Sequence, residues 1–547
     1  MRSSQIISLA LLAPISQAYV WPGKFDDLDD LLYLQSGYIR NGQLSDRTYS
    51  DVDPLTRTNP AIEVMTCGFG ATQPGIQKAA EWVRTAFHDA ATHDASTKTG
   101  GLDGSIQYEL DRPENLGNAL NHTLGDISSL VTTRNSVADL LALSLVMAVA
   151  RCADMRVPLR LGRKDATEAG IKGVPEAHTD LDTSRKRFAT MSLDEADMIT
   201  LIACGHSIGG VHSVDHPEIV SGPVSPENKA TFDTSSGEMD NQVVLEYLDN
   251  STANPLIVNA NDTLNSDKRI FAADGNATMR KLADKAYFKS QCENVFERML
   301  DLVPGDVTLS EPMEPADIRP YITQYELNAN GSIAFSGRIR IRISPVTGRD
   351  MDNLTASIIL PSHSGGNPTE IVAKQATYKL GRSVGYLDEA FTWFEFTTVL
   401  PASEAFGSFN IRVNDVVHDN AGTGGYPVNA DVLYQRPQSC TFSDPTTKQW
   451  SITLVAAVSK SLLQGGAEPR LNFMKKTRKP RSFLPNLTPE TVKMERAGKE
   501  TAEYVYFTAT TPVSTDGLEP MVDFEVGDSK VEYVPTGGLT QQQCAAL

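Results

Sequence analysis

Glu81-Trp-Val-Arg-Thr-Ala-Phe-His-Asp89 is the stretch from which the fold of this chain is read. Apolar residues recur at Ile76, Ala79, Ala80, Val83, Ala86, Phe87 and Ala90, the spacing of an amphipathic helix. Arg84 and His88 are four residues apart, so they share one face beside that stripe. A base and a permanent cation held together at the edge of a buried face suit heterolytic bond cleavage. The imidazole carries a proton, and the guanidinium stabilises charge on a leaving oxygen. Such a pair alone is commonplace on helices, so its weight comes from the motifs further along the chain.

The 547 residues are 40% hydrophobic and 21% charged, enough for roughly three domains of about 150 residues. A net charge of −19 and a pI near 5.0 argue against a nucleic-acid partner. Residues 1–18 read as a signal peptide, with Arg2, an apolar stretch from Ile6 to Ile15, and Ser16-Gln17-Ala18 at the cleavage site. No later stretch reaches the roughly 18 apolar residues of a membrane span, so no membrane is expected. Val137 to Cys152 is apolar but charged at Asp139 and Arg151, and reads as a buried core helix.

Secretion makes Asn121, Asn250, Asn261, Asn276, Asn330, Asn353 and Asn486 candidate glycosylation sites, the last weakened by Pro489. The ending Cys544-Ala-Ala-Leu547 matches a prenylation box, an accident in a secreted chain. The basic run Lys475 to Arg481 reads as a solvated loop. Six cysteines in an oxidising compartment are expected to form disulfides, with connectivity left open.

Residues 19 to about 70 are polar and without clear period, and are expected to wrap the surface. After the opening helix, Gly100-Gly-Leu-Asp-Gly-Ser105 with Asp89 offers hard oxygen ligands of the kind Ca²⁺ prefers. Ser192-Leu-Asp-Glu195 is a capping box, so a helix is expected to start there. Met198, Ile199, Leu201 and Ile202 give it an apolar face, and His206 sits one turn beyond Ile202. Phe232 to Asp240 is a second oxygen-rich turn, and a helical region from about Gln242 to Leu302 contains Asp267. From Pro304 onward prolines mark a linker, and alternation at Ile333 to Ile343, Trp393 to Phe396 and Val505 to Phe507 signals strands. Two β units broken near Pro437 to Cys440 fit the remaining length.

Together residues 81 to 302 resemble the plant-type haem peroxidases, closest to their secreted fungal, class II-like branch. Arg84-Thr-Ala-Phe-His-Asp89 matches the distal helix, Ile202-Ala-Cys-Gly-His-Ser-Ile-Gly209 the proximal helix, and Ser266 to Asp274 the segment carrying the proximal aspartate. The two oxygen-rich turns fall between them in the family's order. The resemblance implies haem b and two Ca²⁺ ions. His206 would be the axial iron ligand, Asp267 its hydrogen-bond acceptor, and Phe87 and Phe232 haem neighbours. His88 and Arg84 would be catalytic, with Asn115 orienting His88. Asp89, Gly101, Asp103 and Ser105 would hold distal Ca²⁺, and Ser207, Asp233, Ser235 and Asp240 the proximal ion.

The departures bear on substrate. Manganese-oxidising members carry carboxylates where this chain has Gln77, Glu81 and His212, so two of the three are missing. The surface tryptophan of other members is Leu201 here, and the tryptophan beneath the haem is Phe232. Cys67 and Cys152 match a family disulfide, Cys204 is expected to stay a buried thiol, and Cys440 with Cys544 would bracket the last domain.

The resemblance therefore implies a mostly α haem-peroxidase domain at 19–315, after the signal peptide. An all-β, sandwich-like C-terminal region would follow, as a β domain at 316–438 and a second or its continuation at 439–547. The expected activity reduces H₂O₂ and oxidises a small organic donor by one-electron steps through an oxyferryl intermediate. The rival is a catalytically idle haem- or carbohydrate-binding protein on the same fold. The β region is expected to contact cell-wall polymer.

Overall fold

A computed structural model describes residues 19–38, 67–70, 75–362, 365–444, 446–447, 449–479, 482–513, 521–537, 539 and 544–547. Residues 1–18, expected to be a signal peptide, and residues 39–66 of the stretch expected to wrap the surface lie outside these residues. Helices occupy the first half of the chain and antiparallel sheets the second, the order read from the sequence.

The Arg84–His88 segment is a helix from Lys78 to Ala90, with Ala79, Trp82, Val83, Ala86 and Ala90 buried. Ala80 and Phe87 are only partly buried, while Trp82 points inward and its indole N–H donates to Asp126 at 3.0 Å. This helix packs on Val137–Ala153, which is buried almost all round, as its unbroken apolar sequence requires. The helix bearing the second motif runs Glu195–Gly205. It starts two residues later than Ser192 suggested, because Asp194 is the N-cap, paired reciprocally with Asp197. The region from Gln242 to Leu302 is four helices, Gln242–Asp249, Ser266–Phe271, Ala277–Leu282 and Lys285–Leu300, broken by turns.

Two readings of the first half are corrected. Cys204 is not a thiol: it is bonded to Cys292, tying the Glu195–Gly205 helix to Lys285–Leu300. The Cys67–Cys152 and Cys440–Cys544 bonds are also present. The second correction concerns residues 19–38, which do not simply wrap the surface. Asp26–Tyr33 is a helix whose Leu28, Leu31 and Leu32 are buried, and Ser36–Gly37 pairs with strand Arg382–Val384. Asp29 and Asp30 of that helix meet Arg319 and Arg340, which are 2% and 0% exposed. Burying a cation costs far less where a carboxylate pairs with it, so acidic residues that look surface-seeking in sequence are drawn inside.

In the β region Ile318–Leu327, Ile333–Arg342 and Ala390–Leu400 pair in antiparallel register within a ten-stranded sheet. Trp450–Ser459 pairs with Tyr504–Val513 in a five-stranded sheet, and Arg470–Arg478 lies in a four-stranded one. Ile452, Leu454, Ala456 and Val458 share a core with Leu471, Phe473 and Phe524 of the four-stranded sheet. Val455 and Ala457, from the other face, join the core of the ten-stranded sheet. Both faces of that strand are thus buried, and the β layers are continuous. Lys475 to Arg478 of the basic run expected as a loop are instead the end of a strand, and Lys476 is 6% exposed.

Candidate active site

Helical spacing brings Arg84 and His88 together: the Arg84 Nε–H donates to His88 Nε2 at 3.3 Å. Arg84 also donates through Nη2 to the Leu116 carbonyl at 3.1 Å, which fixes the guanidinium against the following loop. His88 Nδ1 lies 2.7 Å from Asn115 Oδ1. Asn115 is 1% exposed, and its amide donates to the Glu109 carbonyl at 2.9 Å. Glu109 is held by Arg112 at 2.8 Å and by the Gly170 N–H at 2.7 Å, and burial raises its carboxyl above the usual range. Burial, then the Arg84 charge, lowers the His88 imidazole to about 3. His88 is therefore a neutral base with Nε2 unprotonated, beside a fixed cation.

His206 closes the Glu195–Gly205 helix as its C-cap. Its Nδ1 lies 2.8 Å from Asp267 Oδ2, and Asp267 is 1% exposed. The same oxygen accepts from Asn254 Nδ2 at 3.0 Å. Asn254, which is fully buried, escapes a reading of the sequence; its only signal is the Asn254-Pro255 turn, where Oδ1 accepts the Leu256 N–H at 2.8 Å. Beyond His206 the chain turns at Gly209 with φ of +94°, where an added Cβ would lie 3.0 Å from that of Ala80. Strand Gly210–His212 then pairs with Lys229–Thr231, which returns Phe232 to the site. The Phe232 ring stacks on His206 at 4.2 Å and 13°. Phe87 stacks on Phe188 at 6.1 Å, beside His88. Nε2 of His206 has no hydrogen-bond partner among the described residues, and the side chain is 27% exposed.

Both oxygen-rich turns close up. Asp89 is fully buried, and its carboxylate accepts the Gly104 and Ile106 N–H groups at 2.7 and 2.8 Å. The Ser105 hydroxyl lies 3.5 Å from it, and the Ser105 N–H donates to Asp103 at 3.1 Å. The Gly101 carbonyl accepts the Asp103 N–H at 2.8 Å. Burial, and for Asp89 the neighbouring Asp103 charge, raises both carboxyls. In the second turn Ser235 donates to Asp240 at 2.9 Å, and among the described residues neither oxygen of buried Asp233 has a hydrogen-bond partner. Burial, with Asp240 and Glu246 nearby, pushes Asp233 up to about 7. Ser207 is buried and donates to the Cys204 carbonyl at 2.8 Å rather than to these groups. Among the described residues no three His, Cys, Asp or Glu side chains are gathered to hold a metal ion unaided.

The three positions tied to manganese are engaged elsewhere. Gln77 is 3% exposed and donates to the carbonyls of Cys67 and Ser236 at 2.7 and 2.5 Å. Glu81 accepts from His122 at 3.0 Å, and His212 Nδ1 lies 3.0 Å from the Pro226 carbonyl.

Comparison with known proteins places these groups in a family context. The model of the family described as Peroxidase matches residues 69–289. A WSC domain-containing protein of Arthroderma benhamiae is 33% identical over 458 residues, covering 78% of this chain and 60% of that protein. That alignment is too long to stop at residue 317, so it takes in part of the β region. L-ascorbate peroxidase 5, peroxisomal, of Arabidopsis thaliana is 36% identical over 132 residues, 24% of this chain and 47% of its own. L-ascorbate peroxidase 2, cytosolic, of Oryza sativa subsp. japonica is 28% identical over 212 residues, 38% of this chain and 84% of its own. The chain therefore spans under two thirds of the first two relatives.

Proposed function

Because residues 69–289 form a domain of the plant-type peroxidase superfamily, we propose that this protein is a haem peroxidase that reduces H₂O₂ and oxidises small organic donors one electron at a time. The observation that carries this reading is the complete pair of constellations. Arg84, His88 and Asn115 are hydrogen-bonded in series, and Asp267 holds Nδ1 of His206. An idle relative would have no need to keep both sets intact.

The residues fit haem b. His206 offers an oriented Nε2 without a protein partner among the described residues, on a ring braced by Phe232. Bound haem would supply the iron on which peroxide is reduced. His88 Nε2 accepts the proton of the peroxide oxygen nearer the metal and returns it to the farther one, which leaves as water. The Arg84 guanidinium stabilises negative charge on that departing oxygen. Asn115 keeps the His88 Nδ1 proton engaged, and the Asp267 carboxylate, accepting from His206 Nδ1, makes the imidazole a more electron-rich ligand. Overall one H₂O₂ takes two electrons and two protons from two donor molecules and gives two waters.

The test is optical. Haem-loaded protein should change its Soret band on one equivalent of H₂O₂ and recover it on addition of a phenol. His206→Ala should lose haem under conditions where the wild type keeps it. A Soret band indifferent to peroxide, or full haem content in His206→Ala, overturns the assignment.

Calcium enters the same reading. Asp233, buried with neither oxygen hydrogen-bonded among the described residues, would seat a hard cation, with Ser235 and Asp240 beside it and Ser207 as a further ligand. Asp89, Asp103, Ser105 and the Gly101 carbonyl would hold a second ion. Elemental analysis and melting with chelator test this; no calcium and an unmoved melting temperature would refute it. Secretion is supported by the disulfides of the peroxidase domain, which persist in oxidising compartments. The fungal, class II-like branch is proposed on those bonds and on the Phe232 ring stacked against His206. Glycosylation suits Asn250, Asn261, Asn330, Asn353 and Asn486, all exposed, better than half-buried Asn121 and Asn276.

A further inference from the structure

A cleft of about 260 Å³ lies where Thr132 and Thr133 of the peroxidase domain meet the four-stranded C-terminal sheet. Lys476 decides what it can hold. This lysine is 6% exposed, and its ammonium makes one long hydrogen bond, 3.3 Å to the Ser129 carbonyl. Among the described residues no carboxylate pairs with it. Glu490, on the cleft wall, is taken by Lys475 at 3.0 Å, and Asp523 accepts the Tyr533 N–H at 2.6 Å. The hydroxyl of Ser129 is also buried without a partner. A buried ammonium with unfilled donors is costly, and that cost pushes it down to about 8. An anion beside it would relieve both.

The remaining walls narrow the class of anion. Met474, Pro489 and the Tyr533 side chain bring apolar surface. The Arg134 guanidinium lies 4.1 Å over the Tyr533 ring and adds positive charge nearby. Thr132 Oγ1 accepts the Arg134 and Asn135 N–H groups at 3.1 Å each, so its own O–H is free to donate. A cleft of 260 Å³ falls just below the ~300 Å³ at which drug-sized pockets begin, which suits a single ring. One buried cation, the Thr132 hydroxyl and apolar faces, on walls that also carry Glu490 and Asp523, suit an acidic sugar that meets the cleft at several points better than a bare inorganic ion.

We propose that this cleft binds a sugar bearing a carboxylate, with the carboxylate on Lys476 and the ring against Tyr533 and Met474. The site is independent of the peroxidase reading. It gives the expected polymer contact a place and a charge, and its occupant would touch both the helical domain and the β region.

Calorimetric titration of the intact chain with D-galacturonate, D-galactose and inorganic phosphate tests it. Galacturonate should bind saturably, and galactose should bind roughly tenfold or more weakly for lack of a charge-assisted bond. Galacturonate affinity should fall as pH rises past the Lys476 value of about 8. Lys476→Met should weaken galacturonate by about tenfold or more while Lys476→Arg stays within a few-fold. Removing an unpaired buried charge does not threaten folding, and melting curves of both variants check this. The proposal fails if galacturonate gives no saturable heat, if galactose or phosphate binds as tightly, or if Lys476→Met binds like the wild type.

Discussion

Oδ1 of Asn115 lies 2.7 Å from Nδ1 of His88, and this contact settles which imidazole nitrogen takes a proton. The Asn115 amide nitrogen is committed to the Glu109 carbonyl at 2.9 Å, so it is the oxygen that faces His88. Nδ1 must then carry the hydrogen, and Nε2 is left as the acceptor. The Arg84 Nε–H pointing at Nε2 requires the same tautomer.

Asn115→Val should therefore slow the reaction with peroxide by about 10–100-fold while haem content is unchanged. His88→Leu should slow it by ~10²-fold or more. Stopped-flow rates within a few-fold of wild type for His88→Leu would show that another group moves the proton.

On the proposed mechanism the acid limb of the peroxide reaction depends on the same residue. The working form of His88 is neutral, and burial with the Arg84 charge lowers its imidazole to about 3 from 6.5. A lowered value means that protonation, and loss of the base, is postponed on acidification. The rate should hold through pH 5 to 7 and decline only as pH approaches about 3. Half-loss near 6.5 would contradict this.

Cys204 stands two residues before His206 and is bonded to Cys292 across 88 residues. The double variant Cys204→Ala, Cys292→Ala should lose about 2–4 kcal/mol of stability and release haem more readily. Cys440→Ala with Cys544→Ala should leave haem release unchanged, since that bond lies in the β region. Differential scanning calorimetry and haem-transfer rates check both.

Arg319→Met should be among the most destabilising single changes away from the site. It leaves Asp26, Asp29 and Asp30 facing a buried surface with one cation fewer, at a cost of about 3–5 kcal/mol. Urea denaturation measures it, and a loss below about 1 kcal/mol would mean water reaches this cluster.

Mn²⁺ should be a poor donor. Gln77 is turned onto two backbone carbonyls, Glu81 is paired with His122, and His212 replaces a carboxylate with an imidazole. Mn²⁺ favours anionic oxygen, so the three positions do not make its site. Steady-state assays should show saturable oxidation of a small phenol and none of Mn²⁺ at a matching rate.

Of the proposed site groups, those on a local pattern were legible from the residues themselves, while the roles of Asn115 and Asp267 came from the family resemblance. Arg84 and His88 are set by helical spacing, His206 ends an apolar helix, and the acidic turns carry their own glycines and serines. The order of α and β halves was legible for the same reason, since period and turn residues are local properties. Long-range closure was not. Cys204 looked like a buried thiol because nothing near it in the chain reveals that Cys292, 88 residues on, packs against the same helix.

Residues 19–38 looked like surface wrapping because their acidity reads as solvent-seeking. Only Arg319 and Arg340, 290 and 310 residues later and buried in a sheet, make those aspartates an interior feature. Trp450–Ser459 hid its alternation because both faces meet a core, and Lys476 passed for a loop lysine because its strand partners and the wall that covers it come from elsewhere. Asn254 is the same case at the site itself, a turn residue until Asp267 is folded against it. What sequence alone determined here are the groups whose geometry is set within a few residues. What the tertiary structure decided are the groups whose burial and partners depend on distant segments, because desolvation and pairing are properties of the assembled surfaces rather than of the chain.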